Sequence, residues 1–330
     1  MNVRETSEQI EKNILSEYAC LSANSRGRLK PEEKCPIRTD FQRDRDRIIH
    51  CKAFRRLKHK TQVFLSPVGD HYRTRLTHTL EVSQIARTIA RALRVNEDLT
   101  EAVALGHDLG HTPFGHAGEK ALNDIFPQGF RHYEQSLRVA DVLENLNLTY
   151  ETRNGILRHT RGIEAETVEG RIVKIADRIA YINHDIDDAV RAGVMNIENI
   201  PKDILEILGY EHSQRINTLV VSLIENTSDE NLRMNGEVQG AFDRLHKFMF
   251  DEVYLKGHER NETRKIPEFI SRLYSYFRKN PDKMPDEYGE IIKNDSVERA
   301  VCDYISGMTD KYAIDVFNSI FVPHSWNVKI

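Results

Sequence analysis

From Phe41 onward, apolar residues recur three and four positions apart in one segment after another, and no stretch alternates apolar with polar residues as a half-buried strand does. The spacing predicts an all-α chain. Breaks at Ser66-Pro67-Val68-Gly69, Thr112-Pro113, Phe126-Pro127-Gln128-Gly129 and Arg161-Gly162 separate the helices, because Gly and Pro cannot continue them cheaply. With 330 residues the chain suits one large catalytic unit in three parts. Residues 1–40 form an amphipathic helix from Met1 to about Leu21 and an irregular arm, Ser22 to Pro36. Residues 41–200 form a helical core, and residues 201–330 a C-terminal helical region packed on it, interrupted at Glu225 to Glu237 and at Asn280 to Asp286.

No run of 18 apolar residues occurs, so neither a membrane span nor a signal segment is expected, and the chain reads as soluble and cytoplasmic. Cys20, Cys35, Cys51 and Cys302 lack any C-x-x-C pairing, which argues against a zinc knuckle or a disulfide framework. The net charge is only −4, yet Arg38 to Lys60 holds nine Lys/Arg against three Asp, a local excess suited to phosphates. No Gly-x-x-x-x-Gly-Lys-Ser/Thr loop is present, which excludes a P-loop NTPase.

The chemistry lies where polar residues occupy apolar positions. Over Arg75 to Leu93, His78 shares one helix face with Val82, Ile85 and Ile89. In the next helix Leu99, Val103 and His107 are four apart, and Asp108 follows at once. Between Arg171 and Arg191, Val173, Asp177 and Tyr181 are again four apart. A single inward histidine is more often a hydrogen-bonded core residue. Three helices that turn His, His-Asp and Asp into one interior need a shared partner, since an unpaired buried carboxylate costs several kcal/mol. One divalent ion meets that need: Mn or Mg foremost, with Fe, Ni or Zn also compatible with imidazole and carboxylate ligands.

The ordered set His78, His107-Asp108 and Asp177 resembles the HD phosphohydrolase superfamily, whose signature binds a divalent metal within a helical fold. Longer strings carry the likeness further: Phe54-Arg55-Arg56-Leu57, Arg73-Thr74-Arg75-Leu76-Thr77-His78, Gly106-His107-Asp108-Leu109-Gly110-His111-Thr112-Pro113-Phe114-Gly115-His116 and Asp303-Tyr304-Ile305-Ser306-Gly307-Met308-Thr309-Asp310. From about residue 38 to 320 the chain is similar to the deoxyguanosinetriphosphate triphosphohydrolase (dGTPase) family. The resemblance implies an HD-domain helical core with additional C-terminal helices.

It also implies roles. His116 and Glu119, one turn apart after the Pro113 and Gly115 break, make a pair suited to proton transfer beside the leaving oxygen or the attacking water; the plain alternative is a local capping contact. His111 matches a position near the substrate phosphates. Gln62, Tyr181 and Asp185 match sugar-contacting positions, although a buried Tyr with a surface Asp would read the same. Arg75 and Arg178 offer planar bidentate donors to phosphate. Arg55, Arg56, Lys58 and Lys60 read more simply as a solvated helix face. Around His132 the family pattern is more usually His-Asn-Glu-Gln, and Tyr133 departs from it, so His132 is left outside the expected site.

The resemblance further implies hydrolysis at the α-phosphorus of a deoxynucleoside triphosphate, giving the deoxynucleoside and inorganic triphosphate. Its partners would be the dNTP substrate, a dNTP activator and further copies of the chain in a homo-oligomer. Two other readings remain: an HD enzyme acting on a nucleoside monophosphate, cyclic dinucleotide or alarmone, and a regulator whose basic segment contacts single-stranded nucleic acid. The strings around His78 and His116 oppose the first, and the almost neutral overall charge makes the second accessory.

Overall fold

The structure is a computed structural model that describes residues 1–62, 73–160, 162–254 and 262–323. The breaks expected at Ser66 to Gly69 and at Arg161 lie outside the described residues. Sixteen α-helices are described: α1 (Val3–Ile14), α2 (Asp40–His50), α3 (Lys52–Arg56), α4 (Arg75–Leu93), α5 (Glu97–Gly106), α6 (Gly115–Ile125), α7 (His132–Arg138), α8 (Tyr150–Arg158), α9 (Val168–Arg191), α10 (Lys202–Leu208), α11 (His212–Asn226), α12 (Gly236–Met249), α13 (Ile266–Lys279), α14 (Gly289–Asn294), α15 (Val297–Gly307) and α16 (Asp310–Phe321). Among the described residues β structure is limited to isolated bridges such as Arg28 with Thr149. The chain is all-α.

The helices begin where side chains satisfy the free amides of the first turn. Thr74 caps α4 in a capping box with Thr77, Asn96 caps α5, and Thr167 caps α9. Helix α7 runs on into a wider π turn over Val139–Leu143. No described helix is long and apolar enough to cross a membrane.

Helices α4, α5 and α9 pack on one another. Their inward residues, among them Val82, Ile85, Ile89, Leu99, Val103, Ile172, Val173 and Ala176, are joined by Leu219, Leu223, Phe242 and Leu245 of α11 and α12 in one hydrophobic core. A second core joins Ala121, Leu122 and Phe126 at α6 to Ile270, Leu273 and Phe277 of α13 and to Val301 and Ile305 of α15. The chain after residue 200 therefore packs in two places. α10 to α12 extend the core that holds α4 and α9, whereas α13 to α16 wrap α6.

The N-terminal helix is shorter than its periodicity suggests. It stops at Ile14, because Leu15 is extended and Ser16 is tied to the end of α4, its amide bonding the Arg94 carbonyl at 2.7 Å and its hydroxyl the Leu93 carbonyl at 2.8 Å. The arm that follows is held by carboxylates on the core: Glu169 accepts from the Cys20 amide at 2.9 Å, and Glu151 from the Arg26 amide at 2.8 Å. The basic segment is largely spent on acids. Arg38 pairs with Asp46 at 2.7 Å, Arg45 with Asp98 at 3.0 Å and Arg47 with Glu32 at 2.8 Å.

Candidate active site

His78 stands in the first turn of α4, His107 just past the end of α5, Asp108 next to it, and Asp177 halfway along α9. The packing of those helices brings the four together. His78 Nε2 lies 3.0 Å from Asp177 Oδ1; His107 Nε2 lies 3.8 Å from that atom and 3.6 Å from Asp108 Oδ1. The ligand atoms of His78, His107 and Asp108 all fall within 4.8 Å of one another.

A cation fits this geometry on physical grounds. His107 Nδ1 is 2.6 Å from the Ala104 carbonyl, which can only accept, so Nδ1 carries a proton and Nε2 is the nitrogen left to face the cluster. That Nε2 is buried without a hydrogen-bond partner, and it faces two carboxylate oxygens. Two carboxylates and a ring nitrogen gathered at one buried point call for a positive charge between them. The spacings also suit it, since ligands about 2.1 Å from one ion stand roughly 3 to 3.5 Å apart. His78, His107 and Asp108 are nearly inaccessible while the Asp177 side chain is 22% exposed, so the cluster opens on the Asp177 side. Burial resists ionisation of Asp177, yet its contacts with His78 and His107 pull its pKa down to about 2.

Arg75 backs the cluster. Its Nη1 donates to Asp108 Oδ2 at 2.7 Å and its Nη2 reaches the Gln62 carbonyl at 3.5 Å, so the arginine expected at phosphate is buried as a clamp on a ligand. Burial opposes the Asp108 charge, but His107 and Arg75 hold its pKa well below the usual carboxylate range.

Beyond the cluster the imidazoles form a continuous array. His107 and His159 meet at 4.9 Å between ring centroids, His159 and His132 at 5.4 Å, His132 and His111 stack at 4.7 Å, and His111 and His116 lie 5.6 Å apart. Burial, with the neighbouring His107 and His132, lowers His159 to a pKa of about 3, so it is neutral. Burial, then Arg75, holds His111 well below the usual imidazole range.

The turn between the His/Asp cluster and α6 depends on backbone that few residues tolerate. Phe114 and Gly115 are both left-handed, with φ of 63° and 59°. A Cβ on Gly115 would stand 2.6 Å from the Gln62 carbonyl oxygen, and one on Gly110 2.2 Å from the Ser136 amide. A non-glycine residue at positive φ costs on the order of 1–3 kcal/mol. Asp310 at the start of α16 offsets that: one carboxylate oxygen accepts from the Phe114 amide at 3.0 Å, the other from the Thr61 amide at 3.0 Å and from the Thr61 hydroxyl. Lys60, buried rather than on a solvated face, donates to the carbonyls of His111 at 2.5 Å and Ser306 at 2.8 Å. The C-terminal helices thus bolt down the loops that flank the cluster.

Glu119 divides its carboxylate. Its oxygens lie 3.0 Å from His132 Nδ1, and one accepts from the His132 amide at 2.9 Å, whereas His116 Nδ1 is 3.6 Å away with its side chain 68% exposed. Helical spacing pointed only to His116. His132, set aside because of Tyr133, is Glu119's closer partner; Tyr133 merely stands edge-on to it at 5.7 Å. Its pKa is raised, burial being outweighed by Glu119. His159 was missed although the signal was there: Thr152, Ile156 and His159 repeat the i, i+4, i+7 pattern that marked His78.

The remaining expected contacts divide. Gln62 is buried with its Oε1 unpartnered, and Asp185 is buried on α9 four residues beyond the half-buried Tyr181, on the side of the helix that carries Asp177. Arg178 instead turns to α12, where it pairs with Asp243 at 3.3 Å and lies over the Phe242 ring.

Comparison with known proteins places this geometry. The model of the HD domain matches residues 75–182, and that of a phosphohydrolase-associated domain matches residues 232–319. A deoxyguanosinetriphosphate triphosphohydrolase-like protein of Caldanaerobacter subterraneus subsp. tengcongensis is 57% identical over 331 residues, covering 99% of this chain and 98% of that protein. One from Desulfatibacillum aliphaticivorans is 48% identical, covering 98% of this chain and 99% of its own. The crystal structure of a hypothetical protein from Aquifex aeolicus shares the fold, with a TM-score of 0.50 and 20% identity over 84% of this chain and 71% of that one.

Proposed function

The chain belongs to the deoxyguanosinetriphosphate triphosphohydrolase-like family of HD-domain proteins, and from that premise we propose that this HD-type phosphohydrolase cleaves deoxynucleoside triphosphates to deoxynucleoside and inorganic triphosphate with the help of one divalent ion. The observation that carries the reading is the buried His107 Nε2, without a hydrogen-bond partner, facing the oxygens of Asp108 and Asp177. His78, His107, Asp108 and Asp177 would hold the ion, which draws charge from a phosphate oxygen and makes water more acidic. Mn and Mg are the first candidates.

The chain's own residues supply the rest. Arg75 fixes Asp108 by bonding its outer oxygen, so the ligand cannot swing away. His111, buried and neutral, and His132, paired with Glu119, line the approach to the α-phosphorus. When the bond between phosphorus and the 5′ oxygen breaks, that oxygen must gain a proton. His116, at the accessible end of the array with Glu119 behind it, donates that proton. Gln62, Tyr181 and Asp185 take the deoxyribose, and crowding by the Tyr181 ring disfavours a 2′-hydroxyl.

The test is incubation with each dNTP and with Mn or Mg, singly and in mixtures so that an activating nucleotide is not overlooked, with products resolved by anion exchange. Triphosphate and deoxynucleoside are expected, with GTP a poor substrate beside dGTP. Release of pyrophosphate or monophosphate, or no turnover of any dNTP in any mixture, overturns the assignment.

A further inference from the structure

A cavity of about 280 Å³ lies beside the loop that follows the His/Asp cluster, and none of the four candidate ligands lines it. Gly110 of that loop and Ser306 of α15 belong to its buried lining, and Arg56 and Lys60 both reach it. These two cations read from the sequence as a solvated helix face, yet neither is solvated fully or paired. Arg56 is half-buried and has no hydrogen-bond or ion-pair partner among the described residues. Lys60 is 2% exposed, and its three donors meet only two acceptors, the carbonyls of His111 at 2.5 Å and Ser306 at 2.8 Å. Burial, then the charge of Arg56, pushes its pKa down to about 7.

A third donor, the hydroxyl of the buried Tyr288, joins them at Gly307. A Cβ on Gly307 would stand 3.2 Å from Arg56 Nη1 and 3.6 Å from Tyr288 Oη, so guanidinium and hydroxyl converge on a space kept open by the missing side chain. Neighbouring cations withdrawn from water without a counter-charge are costly, and an oxyanion between them would remove that cost. The carboxylates that border the cavity do not supply it. Glu144 accepts from the Ala53 amide at 2.8 Å, Asp295 pairs with Arg138 at 2.6 Å, and Glu287 and Glu290 are exposed. This acidic border repels the multiple charges of a nucleoside triphosphate and leaves room for one small anion. We propose that the cavity is a binding site for inorganic phosphate, held by Arg56, Lys60 and Tyr288 and separate from the His/Asp cluster. The guanidinium offers phosphate two parallel donors, and the anion would neutralise the lysine that holds the His111 carbonyl.

Thermal unfolding of the full chain in EDTA near neutral pH, in sodium phosphate against sodium chloride of equal ionic strength, tests this without relying on turnover. The melting temperature of the parent should rise saturably with phosphate, by about 2 °C at roughly tenfold the dissociation constant. Arg56→Gln and Gly307→Ala should each abolish the rise while melting near the parent in chloride. The first removes a guanidinium that has no partner, and the second fills the space with a methyl whose nearest neighbour is the movable end of Arg56. Tyr288→Phe, which loses one hydrogen bond, should weaken phosphate by about 3- to 10-fold. The proposal is overturned by a parent that responds to phosphate no more than to chloride. It is overturned equally by a rise that survives in both Arg56→Gln and Gly307→Ala, which would put the anion at the His/Asp cluster. A response to dGTP that Arg56→Gln abolishes also overturns it, since the cavity would then hold a nucleotide.

Discussion

The His/Asp cluster and the turn that follows it lie side by side yet are built by different means. The candidate ligands His78 and Asp177 stand on long helices whose apolar stripes sink into one core, and local spacing alone aims them inward. The segment from Asp108 to Gly115 has no such support. Its course depends on Phe114 and Gly115 in left-handed backbone, on Gly110 against the Ser136 amide, and on Asp310 and Lys60 reaching in from distant parts of the chain. Residues that bind through regular helices tolerate change around them, whereas those aimed by a braced loop depend on every brace.

The sharpest break in that comparison is Asp108→Ala, which removes a ligand and leaves Arg75 buried without its carboxylate. Metal content and turnover should fall together, by more than the roughly 100-fold that loss of an outer partner costs. Unchanged metal occupancy in the folded variant would falsify the ligand assignment. Next is His116→Ala, expected to lower kcat and kcat/KM alike by about 10² to 10⁴ with metal content unaffected, as for a group acting in the transition state. Combined with Glu119→Gln it should be less than multiplicative if Glu119 serves His116; a product of the two losses would assign Glu119 to His132.

Asp310→Ala tests the brace. Leaving the Phe114 and Thr61 amides unbonded should destabilise the fold by about 2–5 kcal/mol and lower kcat by about 10- to 100-fold with metal retained. Asp310→Asn keeps one acceptor and should recover part of both; equal loss of metal and turnover would place Asp310 among the supports of the metal cluster instead.

A smaller effect sits on His132 and Glu119. Burial opposes both charges; for His132 the contact with Glu119 outweighs it, and for Glu119 the contacts with His116 and His132 together do so. His132, raised above 6.5, contributes stability that is complete below pH 6.5 and lost as pH rises through its raised value. Glu119, lowered below 4.5, contributes stability that is complete above pH 4.5 and lost as acid approaches its lowered value. In metal-free protein the melting temperature of the parent should therefore exceed that of Glu119→Gln most between pH 4.5 and 6.5, and the gap should close on the alkaline side. A gap that widens above pH 6.5 contradicts the pairing. The smallest effect belongs to Arg178→Ala, whose partly exposed pair with Asp243 contributes about 0–1 kcal/mol. Its KM should stay near the parent's, and a tenfold rise would return Arg178 to the phosphates.

Read from the chain alone, the all-α class, the span of α4, the break before α10 and the inward direction of His78, His107 and Asp177 were all legible. Each is a property of neighbours within two turns of a helix, and 3.6-residue periodicity records it directly. His159 carried the same mark and was overlooked. What the tertiary structure alone decided involves residues far apart in sequence. Glu119 lies nearer His132, 13 positions on, than His116, because the turn at Gly129 brings the start of α7 back to α6. Asp310 reaches Thr61 across 249 positions. Arg75 and Arg178 had equal claims on phosphate as guanidinium groups; packing gave one to Asp108 and the other to Asp243. The pattern of α1 is amphipathic like that of a core helix, yet Arg4, Glu8 and Glu11 turn toward the protein while Val3, Ile10 and Ile14 stay exposed. Periodicity says that a helix has two faces, and only the contacts made by the folded chain say which one is covered.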